Sequence, residues 1–100
     1  MVRHIVLWKF HEQAAGNCKE ANLTEARRRL LSMEGKIPGM LSIECGINIT
    51  NEAAAYDLAL FCTFDSEESL KIYQTHPVHE EVKKFIAQVR DLRALVDYWL

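Results

Sequence analysis

The chain has 100 residues, 49% of them hydrophobic, and its 12 lysines and arginines against 14 acidic residues leave a net charge of -2. A chain of this size holds one domain with a modest core, and oligomerisation commonly supplements so small a core. The near balance of charge argues against nucleic acid or an acidic membrane as partner, and no window approaches the ~20 apolar residues of a membrane-spanning helix.

The N-terminal run Val2 to Phe10 is rich in β-branched and aromatic residues and predicts a strand. His4, Val6, Trp8 and Phe10 share one face. Ile5 and Leu7 share the other, with Arg3 and Lys9 at its margins. The run is short and lacks a small-residue cleavage site, so a signal peptide is not expected. Gly16 and Asn17 mark a loop. From Lys19 to Glu34 the apolar positions Leu23, Ala26, Leu30 and Met33 recur at helical spacing, with Arg27, Arg28 and Arg29 mostly off that stripe on an expected solvated face. Gly35 suits a helix end, and Ile37-Pro38-Gly39 reads as a turn.

Between Met40 and Ile49 the residues Leu41, Ile43, Cys45, Ile47 and Ile49 alternate with polar or small ones, the period of a strand. Ala53 to Phe64 predicts a second strand of this kind, with Tyr56, Leu58, Leu60, Cys62 and Phe64 on one face. Asp65 with Glu68 three residues later resembles a capping box at the start of a short helix through Leu70 and Tyr73. Pro77 pushes His76 into an extended conformation and suits the first position of a new helix, so the helical region is expected to break there. Val82, Phe85, Ile86 and Val89 form the stripe of that second piece. Asp91 to Leu100 closes the chain as a strand, with Leu92, Ala94, Val96 and Tyr98 on one face and Leu95 and Trp99 on the other. Cys18, Cys45 and Cys62 are odd in number and lack C-x-x-C spacing, so neither a disulfide framework nor a zinc site is expected. Reduced thiols point to a cytoplasmic protein.

The order β-α-β-β-α-β, with its second helix broken at Pro77, predicts an α+β ferredoxin-like fold with an antiparallel sheet over residues 1–100 as one domain. Several strands are apolar on both faces, yet the helices can cover only one. A second copy of the chain is the expected cover for the other, as a homodimer in which two four-stranded sheets close a β-barrel.

The chain resembles the stress-responsive A/B barrel domain (Dabb) family of dimeric ferredoxin-like barrels. The resemblance is carried by His4-Ile5-Val6-Leu7-Trp8-Lys9-Phe10, Ile37-Pro38-Gly39-Met40, Gly46-Ile47-Asn48 and Phe64-Asp65-Ser66, then by Tyr73-Gln74-Thr75-His76-Pro77-Val78-His79 and the closing Asp97-Tyr98. It covers nearly the whole chain. Most members of that family have no assigned activity, some plant members are stress-associated, and one plant member is a polyketide cyclase that performs an intramolecular aldol condensation. The resemblance implies Tyr73 and His79 as a catalytic pair, because their positions match the tyrosine and histidine of that cyclase.

The residues themselves permit those roles. His79 falls in the first turn after Pro77, where the positive end of the helix dipole disfavours a charged imidazole, while Glu80 and Glu81 act in the opposite sense. The balance between them is open in the sequence. Tyr73 offers a hydrogen bond to a carbonyl or enolate oxygen. His76 and His4 are the accompanying candidate binding residues. The plainer alternative is structural, with the histidines capping or packing and the tyrosine buried for its ring. His11 falls in a loop and is expected to be merely exposed. Histidines three apart lack a third and fourth metal ligand, and an axial histidine alone carries little weight for haem, so no cofactor or metal is expected. Three functions compete on this basis: a non-enzymatic dimeric domain that holds a small apolar ligand in a pocket or whose dimer surface serves stress protection, a cofactor-independent lyase or cyclase, and a monooxygenase-like or haem-handling relative.

Overall fold

The computed structural model describes residues 1–100. Strand β1 spans Val2–Phe10, a short hairpin pairs β2 (Gln13–Ala14) with β3 (Asn17–Cys18), and helix α1 covers Lys19–Leu31. Strands β4 (Met40–Ile47) and β5 (Leu58–Phe64) follow, then helices α2 (Glu67–Thr75) and α3 (Pro77–Val89), and finally β6 (Arg90–Trp99). The four long strands form an antiparallel sheet in the order β4-β5-β1-β6. This is the ferredoxin-like α+β arrangement expected from the order of elements.

The register assigns every side chain to a face. His4 lies opposite Cys62 on one side and Asp97 on the other, Val6 opposite Leu60 and Leu95, and Trp8 opposite Leu58 and Arg93. These rows face the helices. The helices add Leu23, Ala26 and Leu30 of α1, Leu70 and Tyr73 of α2, and Val82, Ile86 and Val89 of α3 to one continuous core. Trp8 and Leu58 are 5% and 1% exposed, as the two-faced strands led us to expect. Val96 is not buried: it is 52% exposed, because it sits on the outer face, which no helix of this chain reaches. Phe61, Ile5 and Val96 form one row of that face and Ala59, Leu7 and Ala94 the next, with the Arg3 guanidinium 4.4 Å from the centre of the Phe61 ring.

Several boundaries differ from the sequence reading. The residues after Gln13 turn back in a hairpin through Ala15 (φ 52°) and Gly16 (φ 79°), where a loop was expected. Asn22, buried in α1, anchors that hairpin by donating to the Ala14 carbonyl at 2.9 Å. Helix α1 ends at Leu31, before Glu34. Its arginines are not simply solvated. Arg27 donates to the Cys45 carbonyl at 2.8 Å, Arg28 and Arg29 pair with Glu25, and the Arg29 guanidinium covers the Phe85 ring. The third long strand begins at Leu58, five residues later than Ala53. Asp57 ends its pairing by donating its N–H to the Trp8 carbonyl and accepting the Phe10 N–H on its carboxylate, both at 2.8 Å. A register irregularity between Met40 and Ser42 turns Leu41 out to solvent, and Ile49 lies beyond β4, almost fully exposed.

At the start of α2 the cap is Ser66, whose hydroxyl accepts the Ser69 N–H at 3.1 Å. Asp65, the expected cap, instead accepts the hydroxyl protons of Ser66 and Ser69. Gly39 packs against this corner. Its φ is +79°, and a Cβ there would overlap the Ser69 hydroxyl and stand 2.5 Å from the Ser69 Cβ.

Candidate functional site

Between the helical layer and the β1–β6 side of the sheet lies a cavity of about 430 Å³. That is the size range of small-molecule pockets. Its wall includes His4, Val6 and Trp8 of β1, Leu30 of α1, Tyr73 of α2, His79 and Ile86 of α3, and Arg93 and Leu95 of β6.

The break between α2 and α3 shapes the polar part of that wall. His76 is extended at the junction (φ -65°, ψ 135°), and Pro77 opens α3. In an unbroken helix the Tyr73 carbonyl would accept the N–H four residues on, but residue 77 is a proline and has none. The Tyr73 carbonyl accepts instead from the His76 N–H at 3.2 Å and from His79 Nδ1 at 3.0 Å. A carbonyl only accepts, so Nδ1 of His79 carries the proton and Nε2 keeps its lone pair. The same turn lays the His79 imidazole flat on the Tyr73 ring, 3.8 Å between centres and 11° between planes.

Burial is the main cause that lowers the His79 pKa from the usual histidine range to about 4. The bond to the Tyr73 carbonyl opposes it, and Lys83 and His4 assist it. Glu80 also pulls upward and is the smallest of these causes, so burial, which the sequence reading did not weigh, leads the downward shift. Burial likewise pushes the Tyr73 phenol upward, so it stays protonated. Its hydroxyl is buried without a hydrogen-bond partner, as is the indole N–H of Trp8.

His4 is held differently. Its Nδ1 lies 2.6 Å from a carboxylate oxygen of Asp97, across the β1–β6 pairing, and its ring meets that of Tyr73 edge-on at 5.7 Å. Donation from Nδ1 to the carboxylate fixes the orientation of the His4 ring.

The fold therefore gathers His4, Tyr73 and His79 on one cavity. It leaves His76 off that wall: His76 Nδ1 accepts the Val78 N–H at 3.1 Å and caps α3. Trp8, Arg90 and Arg93 also stand on the wall, and Asp97 supports it through His4, although none of them was among the candidate site residues. The available signal was the period-2 row Arg93, Leu95, Asp97, which the strand register sets against Trp8, Val6 and His4. No group of three His, Cys, Asp or Glu side chains is placed to hold a metal ion. All three cysteines are free, and burial pushes the thiols of Cys45 and Cys62 up to about 11 and about 12, where they stay protonated and unreactive.

The family model described as Stress responsive A/B Barrel Domain matches residues 2–100. The chain belongs to this family. As a Dabb domain it is similar to an uncharacterized protein of Streptomyces coelicolor, 30% identical over 80 residues that make up 80% of each chain. It is also similar to a dimeric protein of unknown function and ferredoxin-like fold from Bacteroides fragilis. The two superpose with a TM-score of 0.85 and are 29% identical over 99% of this Dabb chain and 95% of the other. A hydroxynitrile lyase from Passiflora edulis shares the fold at a TM-score of 0.78 and 19% identity, covering 97% of this chain and 90% of that one. At that identity the likeness is one of architecture. No helix of the Dabb domain is long and apolar enough to cross a membrane.

Proposed function

We propose that this chain works in the cytoplasm as a homodimer and binds a small, largely apolar carbonyl compound in the cavity. It transfers a proton there without a cofactor, as a lyase or cyclase does. The observation that carries the reading is a buried phenol without a partner stacked on a neutral imidazole at the wall of a cavity of about 430 Å³. A buried donor without a partner is costly, and a ligand oxygen would supply the acceptor.

In this reading Tyr73 donates its O–H to the substrate carbonyl oxygen. Nε2 of His79 removes a proton from the adjacent carbon, and the electron pair passes to the oxygen that Tyr73 holds. The enolate then attacks a second carbonyl or takes the proton back. His4, oriented by Asp97, binds the substrate beside them. The Passiflora neighbour supports the reading only in that the same architecture hosts lyase chemistry there. Dimerisation is supported by the apolar outer face and by the dimeric Bacteroides relative.

Deuterium exchange at the α-carbon of a panel of aryl ketones and β-keto esters, followed by NMR, tests the chemistry. The native protein is expected to accelerate exchange of at least one of them. His79→Ala should abolish the acceleration, and Tyr73→Phe should reduce it on the order of 100-fold while leaving the fold intact. An acid limb near pH 4 is expected, because the base must be unprotonated. A limb above pH 6, or full activity in either variant, would remove His79 and Tyr73 from these roles. Ligand binding without exchange would leave a binding domain and no enzyme.

A further inference from the structure

Reading the cavity as a small-molecule site, on which this inference rests, says nothing yet about the charge of its occupant. Three cationic side chains stand on the wall: Lys83 of α3, Arg90 where α3 gives way to β6, and Arg93 of β6. No aspartate or glutamate stands there with them. Lys83 is partly compensated, since its ammonium lies 2.9 Å from Glu80. Arg90 and Arg93 take part in none of the ion pairs of the fold. The nearby carboxylate of Asp97 is engaged by His4.

Two exposed guanidiniums are well served by solvent and would mean little alone. The buried part of the same wall adds the second observation. The Trp8 indole N–H and the Tyr73 hydroxyl have no acceptor, in residues 5% and 0% exposed. Buried donors left unpaired are few in folded proteins. The register sets Trp8 beside Arg93, whereas Tyr73 stands by His4 further along β1. Orphaned donors and uncompensated guanidiniums on one wall complement a molecule with an acceptor oxygen at one end and a negative charge at the other. Val6, Leu30 and Leu60 between them ask for an apolar body.

We infer that the cavity takes a small amphipathic carboxylate, its charged group at Arg90 and Arg93, with the Trp8 indole N–H beside them, and a carbonyl or hydroxyl oxygen at Tyr73. The planar guanidinium fork matches a carboxylate in geometry as well as in charge.

Calorimetric titration of the full-length protein with 6-acetyl-2-naphthoate and its neutral isostere 6-acetyl-2-naphthamide tests this. The acid is expected to bind at least about fivefold more tightly at low salt, an advantage that added salt erodes and that Arg90→Gln/Arg93→Gln removes. Both substitutions are at exposed positions, so the thermal midpoint should hold. Tyr73→Phe should weaken acid and amide alike, because both probes carry the acetyl oxygen. Equal affinities for acid and amide in the native protein would overturn the carboxylate assignment while leaving the small-molecule reading standing. Tighter binding of 6-acetyl-2-naphthyl phosphate than of the acid would reassign the fork to phosphate and overturn it too. Binding of neither naphthalene at millimolar concentration would overturn both the inference and the reading beneath it.

Discussion

Gly39→Ala is the sharpest available test of how the corner between β4 and α2 is built. Two costs add. At φ +79° an L-residue carries a left-handed penalty of about 1–2 kcal/mol. The new methyl would also stand 2.5 Å from the Ser69 Cβ, which is fixed to helix α2 and cannot rotate away. Overpacking of this sort costs about 1–3 kcal/mol, so the total should be about 2–5 kcal/mol. The two parts separate in a cycle with Ser69. Ser69→Gly removes the Cβ and should recover most of the steric part, leaving the backbone penalty. Ser69→Ala removes only the hydroxyl, keeps the Cβ overlap and should recover little. Guanidinium unfolding monitored by far-UV circular dichroism, at one fixed chain concentration so that association contributes equally, measures all of these. A midpoint for Gly39→Ala indistinguishable from native would refute the close approach. Equal rescue by Ser69→Ala and Ser69→Gly would refute the assignment of the overlap to the Cβ.

Leu58→Ala, at a residue 1% exposed in the centre of β5, should cost about 2–5 kcal/mol in the same denaturation experiment. Val96→Asp should leave the fold of each chain intact but shift sedimentation toward a monomer, because it places a charge in the middle of the proposed apolar contact. His79 gives a pH dependence of stability. Its folded pKa of about 4 lies below the ordinary 6.5, so between those values the unfolded chain binds more protons than the folded one. The contribution of a neutral His79 is therefore fully present above about pH 6.5 and is lost progressively as the pH falls toward 4. His79→Gln should flatten the thermal-midpoint profile across that window and leave it unchanged above pH 7.

The fold was legible wherever one physical rule dominated. Alternation in β1 and β6 assigned faces without reference to any partner, and His76-Pro77 placed the helix break because proline restricts both residues. Legibility failed where neighbouring residues compete for one role. Asp65 and Ser66 can each cap, and the choice turns on how the loop at Gly39 seats the corner. Leu41 obeys the alternation in sequence, yet the irregularity at Met40–Ser42 turns it outward. Val96 was legible only as part of a face that needs a cover from outside its own chain, and in the single chain it is exposed. Within the site, the nearness of Tyr73 and His79 has a local cause, since only five residues, one of them Pro77, lie between them. The pairing of His4 with Asp97 depends on strand register across the length of the chain, and no local pattern carries that.

The missing N–H of Pro77 has a consequence beyond the shape of the helices. It leaves the Tyr73 carbonyl open to a second donor beside the His76 N–H, and filling that place selects which nitrogen of His79 is protonated. Position 77 is thus coupled to the tautomer of an imidazole at the cavity wall, although proline itself contributes nothing to that wall. In Pro77→Ala the helix is free to run on, and the new amide would compete for the carbonyl. Imidazole nitrogen-15 shifts should then move His79 from a single Nδ1-protonated form toward a mixture, and part of its basic lone pair would turn from Nε2 to Nδ1. A substitution off the wall would in this way retune an ionisable side chain on it without replacing any residue that lines the cavity.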